Sequence, residues 1–361
     1  MKIENLINKV IQGNSLEVLK NIPNDSIDLI FADPPYNLQL SKNLFRPDQS
    51  KVNGVNEEWD IFNNFEDYDL FTFNWLRSCR DILKDDGSMW VIGSYHNIFR
   101  LGYILQNLGF WILNDVVWVK NNPMPNFRGK RFTNAHETLI WVTKNKNSKY
   151  TFNYESMKSL NGDLQMRSDW NLPICNGKER LKDNDGFKAH PTQKPESLLN
   201  RILMASSKVD DIVLDPFFGT GTTGTVAKKL NRNFIGIEQS KTYVNYAKAR
   251  IKNTKRIESS NLIQMPSKEK VKRIPFGSLL EKGLILPGEI LTDLRKRWTA
   301  KVRADGSLIS NENKGSIHSV GAALQGLPAC NGWTFWYIQR AGKLVPIDHL
   351  RNSIRLTFQT L

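Results

Sequence analysis

Cysteine is scarce in this chain. Its 361 residues include three (Cys79, Cys175 and Cys330), too few and too scattered for a disulfide framework or a zinc site. The five histidines (His96, His136, His190, His318 and His349) show no metal-ligand spacing, so no metal is expected. Long apolar runs are absent too. The longest uncharged stretch, residues 315–339, is broken by Gly, Pro, Asn, Gln and His, and no membrane span is expected. Charges at Lys2, Glu4 and Lys9 exclude a signal peptide, which leaves a reducing cytoplasm as the expected compartment. Acidic residues are in deficit: Asp and Glu number 36 against 50 Lys and Arg, a formal net charge of +14. An excess of this sign points to a polyanionic partner, nucleic acid first and anionic membrane second. It is concentrated at the end of the chain, where residues 261–361 hold 15 basic and 7 acidic side chains.

What is present is an ordinary globular balance, 40% hydrophobic and 24% charged. Apolar runs at 27–31, 89–92, 111–119, 136–142, 212–214 and 234–237 predict strands. Helical spacing over 67–83, 96–108, 195–207, 221–230 and 242–252 predicts helices between them. This alternation predicts a mostly parallel, doubly wound α/β sheet covered on both faces. Residues 38–60 predict a long loop, and 121–133 a loop rich in Pro, Asn and Arg. Residues 143–189 lack a period and read as irregular. The predicted division is a catalytic domain over 1–255, a linker over 256–273 and a small basic domain over 274–361, with strands at 333–338 and 344–347.

Two motifs carry chemistry. The first runs Asp215-Pro216-Phe217-Phe218-Gly219-Thr220-Gly221-Thr222-Thr223-Gly224, after a short apolar strand. Glycines let a ligand approach the backbone, and a helix N-terminus offers free N–H groups. Glu238 closes the next strand, where a carboxylate can accept from ribose hydroxyls. Gly219, Gly221 and Gly224 also satisfy the general dinucleotide pattern, which is weak alone. An acid at Asp215, however, suits a cationic ligand group such as a methionyl ammonium.

The second motif is Asp33-Pro34-Pro35-Tyr36, at the end of a strand. It suits transfer to an exocyclic amino group, whose lone pair is delocalised into the ring. Hydrogen bonds to the Asp33 carboxylate and the Pro34 carbonyl would draw that nitrogen toward sp3 geometry. Tyr36 offers a flat face for an extruded base.

At these residues the chain resembles the β-class DNA amino-methyltransferases, in which the catalytic motif precedes the cofactor motif. Residues 122–127, 131–132, 134–141 and 331–336 resemble the CcrM-type adenine methyltransferases, and the likeness covers nearly the whole chain. The resemblance implies a Rossmann-like fold, S-adenosylmethionine as cofactor, adenine N6 in double-stranded DNA as target, GANTC as its context, and a homodimer. It also implies a bacterial, nucleoid-associated setting, as an orphan cell-cycle enzyme or as half of a restriction pair. Carried over residue by residue, it implies catalytic roles for Asp33, Pro34, Pro35 and Tyr36. For the cofactor it implies Asp215, Phe217, Gly219, Gly221, Thr222 and Glu238, and Asn14 where the family usually has Asp. His190-Pro191-Thr192-Gln193-Lys194-Pro195 matches a segment that closes over the methionine end, with Lys194 pairing its carboxylate.

Basic side chains interleaved with an aromatic suit phosphate contact and stacking, which nominates Asn126, Arg128, Lys130 and Arg131 beside Phe127 for DNA. Lys42 and Arg46 lie in the loop after the catalytic motif. In the tail, Arg295 and Arg297 lead a basic run with Lys296, Lys301 and Arg303. Trp333, Phe335 and Trp336 read as core. No Pro-Cys dipeptide occurs, which excludes cytosine-C5 transfer, a reaction that needs a thiolate. Two rivals stand beside the methyltransferase reading. An NAD-dependent oxidoreductase leaves Asp33–Tyr36 without a role. A catalytically inactive DNA-binding protein leaves both motifs intact without a purpose.

Overall fold

A computed structural model describes residues 2–38, 60–126, 130–183, 185–258, 274–311 and 313–357. The chain divides into two compact units, residues 1–267 and 268–361. The first unit contains, in order, β1 (Lys9–Gln12), α1 (Ser15–Leu19), β2 (Ile27–Ala32), α2 (Phe65–Ile82), β3 (Leu83–Gly93), α3 (Ile98–Asn107), β4 (Trp111–Lys120) and β5 (His136–Thr143). Then come α4 (Tyr154–Ser159), β6 (Asp169–Leu172), α5 (Glu196–Ser206), β7 (Ile212–Asp215), α6 (Thr222–Lys229), β8 (Asn233–Glu238) and α7 (Lys241–Asn253). The strands form one sheet in the order β1-β8-β7-β2-β3-β5-β4-β6. From β1 to β3 every neighbour is parallel, while β5 runs antiparallel to β3 and β4.

Period-two alternation explains why both faces are covered. In β2, Leu29 and Phe31 join the core under α5, α6 and α7, while Ile30 and Ala32 join the core under α1, α2 and α3. In β3, Trp90 and Ile92 face the first layer, and Met89 and Val91 the second. Trp90 stacks on Trp141 of β5 with centroids 4.9 Å apart, and its indole N–H donates to Ser206 Oγ at 3.0 Å. Asn64 caps α2 and Ser240 caps α7 by accepting backbone N–H groups, as short polar side chains at helix starts do.

The structure departs from the sequence expectation in several places, of which three bear on the reading. Residues 143–189 hold α4 and β6 inside an otherwise irregular stretch; β6 adds in parallel to β4 through Val117↔Asp169 to Lys120↔Leu172. Lys9–Gln12 is a strand, fixed by pairing with β8 rather than by its own pattern. The 333–338 strand begins later than expected. Asn331 caps a short helix whose burial of Trp333 supplies the apolar signal.

The second unit contains α8 (Gly277–Glu281), β9 (Ile290–Thr292), β10 (Thr299–Val302), β11 (Leu308–Ser310), β12 (Asn313–Gly315), α9 (Ile317–Gln325), α10 (Gly332–Phe335), β13 (Tyr337–Arg340), β14 (Lys343–Pro346) and α11 (Ile347–Thr357). Its sheet runs β12-β11-β10-β9-β13-β14, and all its pairs are antiparallel. Trp333 and Trp336 lie in its core, and the Trp336 indole donates to the Ile317 carbonyl at 2.8 Å.

Candidate active site

β2 and β7 lie side by side, paired through Leu29↔Val213 and Ile30↔Leu214. Asp33 and Asp215 therefore leave the sheet on the same edge, although 182 residues apart. In parallel sheets, ligand crevices form at this carboxyl edge. Here a cavity of about 1780 Å³ is lined by Asn14, Asp33, Pro34, Pro35, Tyr36, Lys194, Asp215, Phe217, Gly219, Thr222 and Glu238. Every residue expected at the catalytic and cofactor positions lines it except Gly221, which turns the loop into α6.

The Asp33–Tyr36 turn is held from below. Asp60 accepts the backbone N–H groups of Tyr36, Asn37 and Leu38 at 2.6, 2.9 and 3.1 Å. Tyr68 donates to the Pro35 carbonyl at 3.0 Å, and Asn97 donates to the Tyr68 hydroxyl at 3.1 Å. Among the described residues none donates to the Pro34 carbonyl, so it stays available as an acceptor.

Asp33 is gripped by Lys194, whose Nζ lies 2.8 and 2.7 Å from its two oxygens. The ammonium expected at a ligand carboxylate is here engaged by Asp33. Burial raises the Asp33 carboxyl above the usual range, and Lys194 opposes that rise without cancelling it. Glu137, at the start of β5, accepts from Lys120 at 2.7 Å and from the Tyr36 hydroxyl at 3.0 Å, with Lys194 at 3.7 Å. Burial works to raise its carboxyl, but the two ammonium groups prevail and hold it below the usual range.

On the cofactor side, Asp215 accepts from Thr223 Oγ1 at 2.6 Å and from the Phe217 N–H at 2.9 Å. Burial pushes its carboxyl up to about 7. Glu238 accepts from the N–H groups of Gly219 and Ser240 at 2.8 and 2.7 Å, which leaves lone pairs for a ligand. Gly219 and Gly221 adopt positive φ, 50° and 80°, a region that side chains resist. A Cβ on Gly219 would sit 3.4 Å from His190 Nε2, so the glycine opens a cradle between the loop and the 190–194 segment. Asn14 caps α1 by accepting from Leu16 N–H at 2.8 Å. Thr222 accepts from Arg250 at 3.0 Å and donates to the Lys194 carbonyl. The Phe217 ring packs on Phe71 and Trp75. A buried acid for an ammonium, a strand-end acid for a diol and a glycine cradle between them fit S-adenosylmethionine.

Of the residues expected at DNA, Lys42, Arg46 and Arg128 lie outside the described residues. Asn126 and Lys130 flank the 127–129 segment, and Arg131 sits over the Tyr95 ring at 5.5 Å. In the second unit, Asp293 accepts the N–H groups of Arg295, Arg297 and Trp298, which folds the basic run into the tip of the β9–β10 hairpin. The Arg297 side chain also pairs with Asp293 at 3.1 Å. Among the described residues no His, Cys, Asp and Glu group could hold a metal, and no helix is long and apolar enough to cross a membrane.

Sequence reasoning missed Asp60, Lys120 and Glu137 as site residues. Glu137 did carry a signal: it is a lone acid at the mouth of an apolar strand. Asp60 carried none, because acids are common in polar loops.

Comparison with known proteins bears on the chemistry. Residues 27–249 match the N6/N4 DNA methylase family, and residues 258–360 match the Restriction Enzyme Adenine Methylase Associated domain. The chain is 49% identical over 350 residues to the type II methyltransferase M.HinfI of Haemophilus influenzae, covering 97% of each. It is 41% identical over 242 residues to the type II methyltransferase M2.MboI of Moraxella bovis, covering 67% of this chain and 86% of that one. Among solved structures, the M1.HpyAVI–SAM complex is similar with a TM-score of 0.50 at 29% identity, over 67% of this chain and 98% of that one. The cytosine-N4-specific PvuII DNA methyltransferase shares the fold, with a TM-score of 0.52 at 23% identity over 69% of this chain and 88% of that one. With a family match over residues 27–249, which hold seven of the eight strands of the cavity-bearing sheet, and a relative aligned almost end to end, this chain belongs to the N6/N4 DNA methylase family and is an S-adenosylmethionine-dependent DNA N6-adenine methyltransferase.

Proposed function

We propose that the enzyme methylates adenine N6 within GANTC in double-stranded DNA, with Asp33 and the Pro34 carbonyl as acceptors for the target amino group. The observation that carries this reading is the open Pro34 carbonyl beside a carboxylate, on the strand next to the one that ends in Asp215. The aromatic amine is a poor nucleophile. Two acceptors at fixed positions pull its hydrogens out of the ring plane and expose the lone pair. When bound, S-adenosylmethionine supplies an electrophilic methyl group on a sulfonium centre. Asp215 receives the ammonium end and Glu238 the ribose hydroxyls. Asn14 meets the adenine side, while Gly219, Gly221 and Thr222 shape the loop and Phe217 fixes Asp215 through its N–H.

An adenine inside a duplex cannot reach this edge, so the base is flipped or the strand opened, and Tyr36 provides its stacking face. Asn126, Lys130 and Arg131 contact the DNA; Lys42, Arg46 and Arg128, outside the described residues, are read the same way from the sequence, and Arg295 and Arg297 as phosphate contacts. GANTC and a homodimer rest on the CcrM-type resemblance. Action at the bacterial nucleoid follows from the same resemblance.

The test is incubation with mixed-sequence duplex DNA and labelled S-adenosylmethionine, followed by mapping of the modified base. N6-methyladenine in GANTC is the expected product. Label on cytosine, or on adenine in an unrelated context, overturns the reading.

A further inference from the structure

Four charged side chains from four places in the chain meet at the catalytic edge. Lys120 ends β4, Glu137 opens β5, Lys194 precedes α5, and Asp33 follows β2. Their order in space is Lys120, Glu137, Lys194, Asp33, with successive nearest approaches of 2.7, 3.7 and 2.7 Å. None of the four is more than one-fifth exposed, and together they are neutral. A buried carboxylate without a partner is costly, so Glu137 is kept there by the charges around it.

The position of Lys194 poses a mechanistic problem. Its ammonium occupies both Asp33 oxygens, the same atoms that must accept the target amine. Once that amine arrives, Lys194 needs a second acceptor, since a buried ammonium stripped of its partner is as costly as a bare carboxylate. Glu137 Oε2 stands 3.7 Å away, within reach of one rotamer adjustment, and also accepts from the Tyr36 hydroxyl at 3.0 Å.

We propose that Glu137 is a positioning residue for methyl transfer: it takes up the Lys194 ammonium when Asp33 engages the target amine, and it holds the Tyr36 ring on which the base stacks. This rests on the reading of Asp33 as acceptor for the amine. No bond is made or broken at Glu137. The groups facing Asp33 are Lys194, Tyr36 of its own turn, Glu137 from β5 and Asp215 from β7. Those facing Glu137 are Lys120 from β4, Lys194 and Tyr36, and His190 lies close enough to feel Lys194.

The experiment measures the single-turnover rate of adenine methylation in preformed complexes across pH, together with S-adenosylmethionine affinity and thermal melting. Four proteins are compared: native, Glu137→Gln, Glu137→Asp and Lys120→Gln. A displaced acceptor costs about 100-fold in rate, so Glu137→Gln is expected to be slowed on that order while binding the cofactor normally. Removing the negative charge of Glu137 eases ionisation of Asp33 and moves the acidic limb of the rate profile to lower pH. Removing the positive charge of Lys120 moves the limb to higher pH. Opposite shifts are the signature of charge coupling, which a structural role would not produce. Glu137→Asp, which keeps the charge, is expected to restore the native limb. A Glu137→Gln rate close to native, an unmoved limb, or loss of cofactor binding in step with rate overturns the proposal. Should Glu137→Gln fail to fold, the direction of the Lys120→Gln shift decides alone. If the native enzyme places no methyl on adenine, the reading of Asp33 fails instead, and the two failures are told apart.

Discussion

Asp215 offers a titration that reports directly on the cofactor pocket. Its carboxylate is buried, with one hydroxyl and one backbone N–H as partners, at 2.6 and 2.9 Å. Burial drives the carboxyl up to about 7, the nearby Asp33 and Glu238 charges add to the rise, and the two hydrogen bonds oppose it. In an unfolded chain an aspartate titrates near about 3.9. Between those values the folded protein holds a proton that the unfolded chain has lost. Stability in the absence of ligand therefore falls as pH rises from about 4 to about 7 and levels off above. Three units at about 1.4 kcal/mol each put the full penalty near about 4 kcal/mol. A ligand ammonium reverses the balance, because it selects the ionised form. From pH 6 to pH 7.5 the ionised fraction climbs from about one-tenth to about three-quarters, so S-adenosylmethionine affinity rises roughly eightfold. Calorimetric titration at both pH values checks this, and a pair of buffers with different ionisation enthalpies reads the proton released. Asp215→Asn is expected to bind weakly and to lose this pH dependence. A flat profile in the native enzyme, or an equal slope in the variant, refutes the assignment of Asp215 to the ammonium.

Three further outcomes are expected. Asp33→Ala retains cofactor binding by calorimetry and loses transfer of labelled methyl to DNA; undiminished transfer would end the mechanism. Asp60→Ala strands three N–H groups, that of Asn37 fully buried, and loosens the Asp33–Tyr36 turn, so the methylation rate falls while cofactor affinity stays within about threefold, the turn being tied to the target side of the cavity. Gly236→Ala would bring a Cβ to within 2.4–2.5 Å of three Phe218 ring atoms. Overpacking of this kind costs about 1–3 kcal/mol, which urea denaturation would register as a lower midpoint, and an unmoved midpoint counts against the packing.

Both chemical motifs were legible because each is local. Asp33–Tyr36 and Asp215–Gly224 are contiguous, and the strand before each is apolar on both faces. The alternation of strands and helices was legible for the same reason. The failures involve partners distant in the chain. Lys194 reads from its own segment as a group for the methionine end, and only the fold reveals that Asp33, 161 residues earlier, holds its ammonium. Glu137 and Lys120 meet because β4 and β5 run antiparallel, with Trp118 opposite Glu137. Lys9–Gln12 has too few residues to display a period and becomes a strand only beside β8. Trp333 and Trp336 were legible as core, but their spacing of three belongs to a helical turn as well as to a strand edge.

The pairing of β2 with β7 has a wider consequence. The two ends that carry the chemistry touch through sheet geometry and owe nothing to which is synthesised first. Were the chain cut in one crossover and its old ends joined, the same acid, carbonyl and glycine turn would still face one another across the same gap. Gene rearrangements that shuffle these segments can thus preserve catalysis, and a reader of genomes should look for the two halves in either order.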